Sequence, residues 1–305
     1  MDETKTTNTR KNVKLPLEDR IYYIIINTII FIFTLIVLYP LIFVVSASFS
    51  SGSAVSTGKV ILWPVDPGLA GYKAVFSHKL ILSGYRNTIF YTVVGTIINI
   101  VVTMMCAYPL SRKSLPGRNF FMGIFTFTMF FGGGLIPSYM LITSLGMKNT
   151  VWALLIPGAM SVYNMILART FLQSSIPHEL LEASQIDGCN DFRYFFQIVL
   201  PLSKAIIAVL TLYYAVGHWN SYFSALIYIN KPNLYPLQLI LRQIFEASRV
   251  SAAEMTDPEL IAKTAGITDL LKYSLIVVST APIMCVYPFI QKYFVKGVMI
   301  GSVKG

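Results

Sequence analysis

His178-Glu179-Leu180-Leu181-Glu182 comes within one residue of a zinc-protease helix. Two histidines four residues apart would share one helical face and hold a metal. The second position here is Glu182, so that ligand geometry does not form. Gly52 to Lys59 has the outline of a phosphate-binding loop, but with one residue too many between its glycines and Val60 where Ser or Thr is required. Cys106, Cys189 and Cys285 lie far apart, with no CxxC pair; they read as ordinary thiols, neither a disulfide framework nor a metal site. His218 is the one ionisable side chain near the middle of a long apolar run. No acid–base pair, activated nucleophile or ligand cluster emerges. Covalent catalysis is not expected of this chain, nor a cofactor of its own.

Composition dictates what must position these residues. Of 305 residues, 55% are hydrophobic and 12% charged, with a mean hydropathy of +0.63. A soluble domain carries roughly 25% charged residues, because even a large one needs a wettable surface. A water-soluble enzyme is excluded. A disordered chain is too, given 20 Phe, 18 Tyr and long aliphatic runs. What remains is an all-α integral membrane protein. Six segments, near 21–47, 88–110, 120–142, 151–168, 205–229 and 273–289, are long and apolar enough to cross about 30 Å of hydrocarbon. Val45-Ser46-Ala47 resembles a small-residue cleavage site, but the apolar run before it far exceeds a signal peptide's core, so the first span is read as retained.

Even parity puts both termini on one side. The 111–119 connector carries Arg112, Lys113 and Arg118, and the N-terminal segment carries Lys5, Arg10, Lys11, Lys14 and Arg20; the positive-inside rule makes that side cytoplasmic. The net charge of +10 is read the same way, as orientation against anionic headgroups of the lipid bilayer, and not as a nucleic-acid surface. The expected division is a cytoplasmic segment 1–20, a six-span domain 21–292 and a cytoplasmic tail 293–305. Two long outer loops, 48–87 and 230–272, are expected to form a docking surface, the second with a helix start at Thr256-Asp257-Pro258-Glu259.

The segment 173–200 is polar yet patterned. Ser175-Ile176-Pro177 opens a helix with Glu179 and Glu182 in its early turns, favourable to the macrodipole. Leu180, Leu181, Ala183 and Ile186 supply an apolar stripe, Gly188 ends the helix, and Asn190 or Asp191 can cap a second short one. Ala183, Ser184 and Gly188 are small, which permits close approach by another surface.

Glu182-Ala183-Ser184, three residues, Gly188, nine residues, then Ile198-Val199-Leu200-Pro201 resembles the EAA signature of permease subunits of binding-protein-dependent ABC importers. Further segments are similar to the maltose-type carbohydrate permeases: Cys106-Ala107-Tyr108-Pro109-Leu110-Ser111-Arg112, Phe131-Gly132-Gly133-Gly134-Leu135-Ile136-Pro137, Trp219-Asn220-Ser221-Tyr222-Phe223 and Tyr235-Pro236-Leu237-Gln238-Leu239. The tail 291–305 is similar to the polysaccharide and multiple-sugar branch. The resemblance implies a type I importer permease fold, a cytoplasmic ATPase dimer that binds ATP and Mg2+, a second homologous permease and an extracellular sugar-binding protein, all at a bacterial plasma membrane. Glu182, Ala183, Ser184, Asp187, Gly188 and Pro201 would then belong to the coupling helix and its flank. A self-contained carrier would instead need an ion-binding residue within a span. The signature alone also fits importers of other solutes; the branch-level likeness is what points to sugars.

Sugars bind through aromatic faces and neutral hydrogen-bonding groups. His218, Trp219, Asn220 and Tyr222 in the fifth span, with Tyr163 and Asn164 in the fourth, have this character and are the candidates for a substrate path. The same residue types also serve as interfacial belts and as interhelical glue. Gly132-Gly133-Gly134 before Pro137 is expected to break the third span.

Overall fold

A computed structural model describes the backbone of residues 16–253 and 258–298, and the side chains of 16–247, 266–285 and 288. The N-terminal cations up to Lys14, Thr256, Asp257 and residues 299–305 of the tail lie outside the described residues. Every regular element in them is helical: α1 (Leu17–Ser48), α2 (Gly52–Ser56), α3 (Ala70–Phe76), α4 (Ile81–Ser111), α5 (Arg118–Phe130), α6 (Leu135–Ser144), α7 (Trp152–Leu155), α8 (Val162–Ser175), α9 (Glu179–Ile186), α10 (Asp191–Tyr194), α11 (Leu200–Leu202), α12 (Lys204–Trp219), α13 (Phe223–Tyr228), α14 (Leu237–Ala253) and α15 (Pro258–Val298).

Three stretches, α1, α4 and residues 266–285 of α15, are long and apolar enough to cross a membrane unbroken. Two bent pairs add to these: α5 with α6, turned by 110°, and residues 191–202 with α12, turned by 78°. Each break has a local cause. Gly134 sits at φ +83°, open to glycine and strained for other residues, where α5 gives way to α6. The run 151–168, expected as one helix, is split into α7 and α8 around Pro157-Gly158, where an N–H donor is missing. The fifth run breaks after Trp219, where the Asn220 side-chain amide donates to the Val216 carbonyl at 3.0 Å, capping the ladder that would otherwise continue.

α1 is apolar all round, and most of its length is exposed among the described residues. Such a helix is at home against hydrocarbon. Its hydroxyls are hidden by back-bonding: Thr28 to the Ile24 carbonyl at 2.8 Å and Thr34 to that of Ile30 at 2.7 Å. Only its end is buried, where Ser46 Oγ donates to the Leu62 carbonyl at 2.5 Å and Ser48 Oγ meets Tyr72 Oη at 2.7 Å. These bonds tie the span to the 49–72 segment.

α4 is the central post, packed against α8, α12 and α14. At one end a core of Val75, Trp219, Leu237, Ile240 and Leu275 joins α3, α4, α12, α14 and α15. Polar groups lock it: Thr88 Oγ1 accepts from Leu237 N at 2.7 Å, Tyr85 Oη donates to the Val278 carbonyl at 2.8 Å, and Trp219 Nε1 to that of Ser279 at 2.9 Å. At the other end a larger core runs from Met104, Ala107 and Leu110 through Met165 and Leu172 to Leu181, Tyr194, Val199 and Leu210. At the first end α2 meets α15 backbone to backbone: a Cβ at Gly52 would stand 2.6 Å from the Gly266 carbonyl oxygen. Gly52→Val should therefore destabilise the protein by about 1–3 kcal/mol. A fluorescence melting curve in detergent checks this, with Ser53→Ala as a neutral comparison.

Candidate transport site

The 173–200 segment folds as two short helices against the larger core. α9 begins at Glu179, two residues after the expected proline start, and Gly188 ends it at φ +73°. Asn190 is the cap of α10, its Oδ1 accepting from Arg193 N at 2.8 Å. The chain then takes a π-helical turn from Phe195 to Val199, in which Leu200 N–H bonds the Phe195 carbonyl. Pro201, which has no N–H to give, follows within the next helical turn and precedes the bend into α12.

The apolar positions of α9 do not form one stripe. Leu181 and Ser184 face inward and are buried, whereas Glu182, Ala183, Asp187 and Gly188 are exposed and Ile186 is 87% exposed. A one-residue difference along a helix turns a side chain by about 100°, so one face anchors the helix and the other is displayed. The anchor is reinforced from α4. Arg112 donates to Tyr108 Oη at 2.9 Å, pairs with Asp191 at 3.2 Å, and lies over the rings of Tyr108 and Tyr194. Arg169 Nε donates to the Leu110 carbonyl at 2.9 Å and Gln173 Nε2 to that of Ser111 at 3.2 Å. These contacts tie α10 and α8, the helices on either side of α9, to the end of α4.

Two cavities lie further along the spans. One, of about 440 Å³, is lined by groups from α4, α6, α12, α13 and the α7–α8 break, including Asn99, Ser138, Tyr213, His218, Ser221 and Tyr228. Its polar centre is a relay: Asn99 Nδ2 donates to the Gly158 carbonyl at 2.6 Å, and Asn99 Oδ1 stands 2.6 Å from His218 Nε2. Gly95 makes room for this, since a Cβ there would come within 2.4 Å of the imidazole. Among the described residues, the hydroxyls of Ser221 and Ser224 have no hydrogen-bond partner. The second cavity, about 860 Å³, is mostly apolar and includes Tyr85, Asn164, Tyr213, Val216, Trp219 and Ile283. Tyr213 stands between the two. Among the described residues no His, Cys, Asp and Glu cluster could hold a metal.

A sequence model of the family described as "Binding-protein-dependent transport system inner membrane component" matches residues 13–300. The chain belongs to this family. The permease is 40% identical over 289 residues to the polygalacturonan/rhamnogalacturonan transport system permease protein YtcP of Bacillus subtilis, a match covering 95% of this chain and 100% of that one. It is 40% identical to the protein LplC of the same organism over 86% of its own length and 88% of the other. Its fold superimposes with a TM-score of 0.80, at 34% identity and over 93% of the chain, on all of a chain from the crystal structure of a bacterial ABC transporter that imports the acidic polysaccharide alginate. The permease thus has the all-α type I importer architecture and is a multi-pass membrane protein. Membership implies ATPase, binding-protein and permease partners.

Of the candidate path residues in this permease, His218 lines the polar cavity, and Trp219 and Asn164 line the apolar one. Asn220 is exposed and turned back on its own helix. Tyr222 packs beside Ala225 and Leu239 under the Arg242 guanidinium, 5.0 Å from its ring centroid, and Tyr163 is exposed. Asn99, Tyr213 and Tyr228 were not among the expected path residues, and Ser221 and Ser224 stand at the cavity where Asn220 and Tyr222 were expected. The last three, with Gly217 and His218, recur at three- and four-residue steps, a legible stripe of small and polar groups. Asn99→Ala removes the partner of His218 and is expected to lower stability by about 1 kcal/mol and to slow import while the subunit still assembles; melting and uptake assays check both.

Proposed function

We propose that this permease is one of two homologous, non-identical membrane subunits of an ATP-driven importer of oligosaccharides or polysaccharide fragments. An extracellular binding protein delivers the sugar to the outer loops, and both termini are cytoplasmic. ATP and Mg2+ are bound and hydrolysed in the partner ATPase dimer, while this chain does no covalent chemistry and holds no cofactor. The six-span reading counts α7 with α8, and α12 with α13, as spans broken within the membrane, which is tolerated where the break lines a cavity or packs against protein.

The observation that carries this reading is the two-faced α9. Leu181 and Ser184 hold it to the core while Ala183, Ile186, Asp187 and Gly188 are displayed on the side assigned to the cytoplasm. Ile186 stands out from this face beside the small Ala183 and Gly188, a shape on which the cleft of another protein can close. Closure of the ATPase dimer then pushes α9, and the Arg112 contacts pass the push to α4, whose Asn99 lines the polar cavity. The saccharide substrate is supported by the named relatives and by a cavity of tyrosines, hydroxyls and amides without a carboxylate.

Affinity purification of the tagged permease in mild detergent tests the assembly. Recovery of an ATPase and a second permease, with ATP turnover stimulated by saccharide-loaded binding protein, is the expected result. A lone chain, under conditions that keep a known importer intact, would overturn it.

A further inference from the structure

A further concavity, of about 280 Å³, opens at the 111–119 connector and is lined by Lys113, Leu115, Gly117, Arg118, Asn119 and Phe120. Lys113 and Arg118 also line a larger cavity of about 630 Å³ that reaches Arg112, His178 and, on α9, Glu179. Two of these cations have no counter-ion. Arg112 is matched by Asp191 and His178 by Glu182, and those are the ion pairs among the described residues. Among the same residues Lys113 and Arg118 form neither an ion pair nor a side-chain hydrogen bond. Arg118 is half-buried, and Arg169, held on the Leu110 carbonyl, is near enough for the two guanidiniums to repel. The small cavity has no carboxylate in its lining, and the larger has only Glu179. Two unmatched cations at one concavity favour an anion there.

The small cavity is also the head of an apolar strip. Phe120 lines it, and Phe120, Ile124 and Phe127 follow at steps of four and three residues along one face of α5. All three are exposed, and Phe131 stacks on Phe127 with ring centroids 4.5 Å apart. None of the 13 residues of α5 is buried. A helix of that length rises about 20 Å, more than the roughly 15 Å depth of one leaflet's hydrocarbon. Cations at the end of a span, with an apolar strip leading away from them, match a phospholipid: phosphate on the cations, acyl chain along the rings. A free phosphate would leave the strip unused. A zwitterionic headgroup brings a positive group of its own, for which the lining of the small cavity offers no carboxylate.

We propose that the cavity of Lys113 and Arg118, with the exposed face of α5 from Phe120 to Phe127, is a site for one anionic phospholipid, its phosphate held by the two cations and an acyl chain laid along the rings. Orientation of a span by positive charge needs only cations somewhere in a connector; a site needs these two at one concavity. Placement in the inner leaflet rests on the orientation proposed above, whereas lipid binding does not. Because Lys113 and Arg118 also line the cavity that reaches α9, the headgroup stands beside the proposed ATPase dock.

The test equilibrates the tagged full-length permease, with the subunits it retains, in mixed micelles holding equal phosphatidylglycerol and phosphatidylcholine. Mass spectrometry after affinity capture reads the ratio of the two lipids kept. The wild type is expected to keep phosphatidylglycerol about tenfold over phosphatidylcholine, the scale of one charge-assisted hydrogen bond. Lys113→Gln with Arg118→Gln should bring the ratio near one, and Lys113→Arg with Arg118→Lys should preserve it. Lys113→Gln alone, at an exposed side chain, should lower it about threefold, which decides the matter even where the pair folds poorly. Arg193→Gln with Lys204→Gln removes the same charge outside the lining of both cavities and should leave the ratio unchanged. No preference in the wild type overturns the proposal. So does an equal loss in both glutamine pairs, the mark of diffuse attraction. Displacement of phosphatidylglycerol by millimolar glycerol phosphate would give the cations to a soluble phosphate, and loss of a co-purifying permease in the Lys113 and Arg118 pair would give the α5 face to that subunit; either overturns the lipid site. The readout uses no ATP, saccharide or binding protein, so failure of the lipid site and failure of the importer reading are told apart.

Discussion

Ile186→Asp is expected to leave the permease folded in the membrane and to strip it of the ATPase proposed to bind it. The side chain is 87% exposed and joins no core cluster, so its replacement removes no contact that holds the fold. In the importer proposed above, the same side chain is buried in the ATPase cleft. Burying an isoleucine contributes about 1.5–3 kcal/mol, and a carboxylate put in its place adds a desolvation cost of its own. Together these weaken the association on the order of 100-fold or more. The measurement is the ATPase recovered with the tagged permease at constant expression, read beside the melting curve of the permease alone. Undiminished recovery would show that the exposed face of α9 is not the docking face. Leu181→Asp is the informative contrast: that side chain is buried in the core, so the fold itself should fail.

Arg112→Leu should have the opposite signature, with the complex assembled but poorly coupled. The Arg112 side chain is 18% exposed and gathers Tyr108, Asp191 and Tyr194 into one contact, joining the end of α4 to the helix that follows α9. Leucine keeps much of the packing and loses the hydrogen bond, the ion pair and the cation–ring contacts. ATP hydrolysis should continue while saccharide imported per ATP falls, on the order of tenfold if the two helices then move independently. Asp191→Asn should do much less, because that carboxylate is largely exposed and its pairing screened by water. Equal loss of hydrolysis and uptake in Arg112→Leu would mean that the contact serves assembly, not transmission.

Much of this architecture is legible in the residues, because a membrane leaves few choices. With no water to satisfy the backbone, apolar runs become helices, and the runs at 21–47, 88–110 and 273–289 coincide with α1, α4 and part of α15. The helix stop at Gly188 and the cap at Asn190 follow from side chains that act within a few residues. Breaks are harder. Gly132-Gly133-Gly134 announces one, but Pro157-Gly158 lies in a run as apolar as its neighbours, and the interruption at Asn220 depends on a side-chain bond that composition does not reveal.

The cavity was the least legible part. Asn220 and Tyr222 are the residue types a sugar would want, yet the break after Trp219 turns the chain, so that Ser221 and Ser224 join His218 at the cavity while Tyr222 packs under Arg242. Asn99 escaped because its meaning is tertiary. It matters through Gly158 and His218, which come from other parts of the chain. Likewise, the α9 positions read as one apolar stripe divide into an anchored and a displayed face only once the core beneath them is in place.

The central claim is that this chain moves saccharides only as part of an ATP-driven assembly. It is tested most directly by reconstituting the co-purified complex into proteoliposomes and following a labelled oligogalacturonide. The account predicts uptake that requires both internal ATP and the loaded binding protein, and that stops when Ile186→Asp removes the ATPase. Uptake by the permease alone, driven by the saccharide's own gradient and indifferent to ATP, would contradict it.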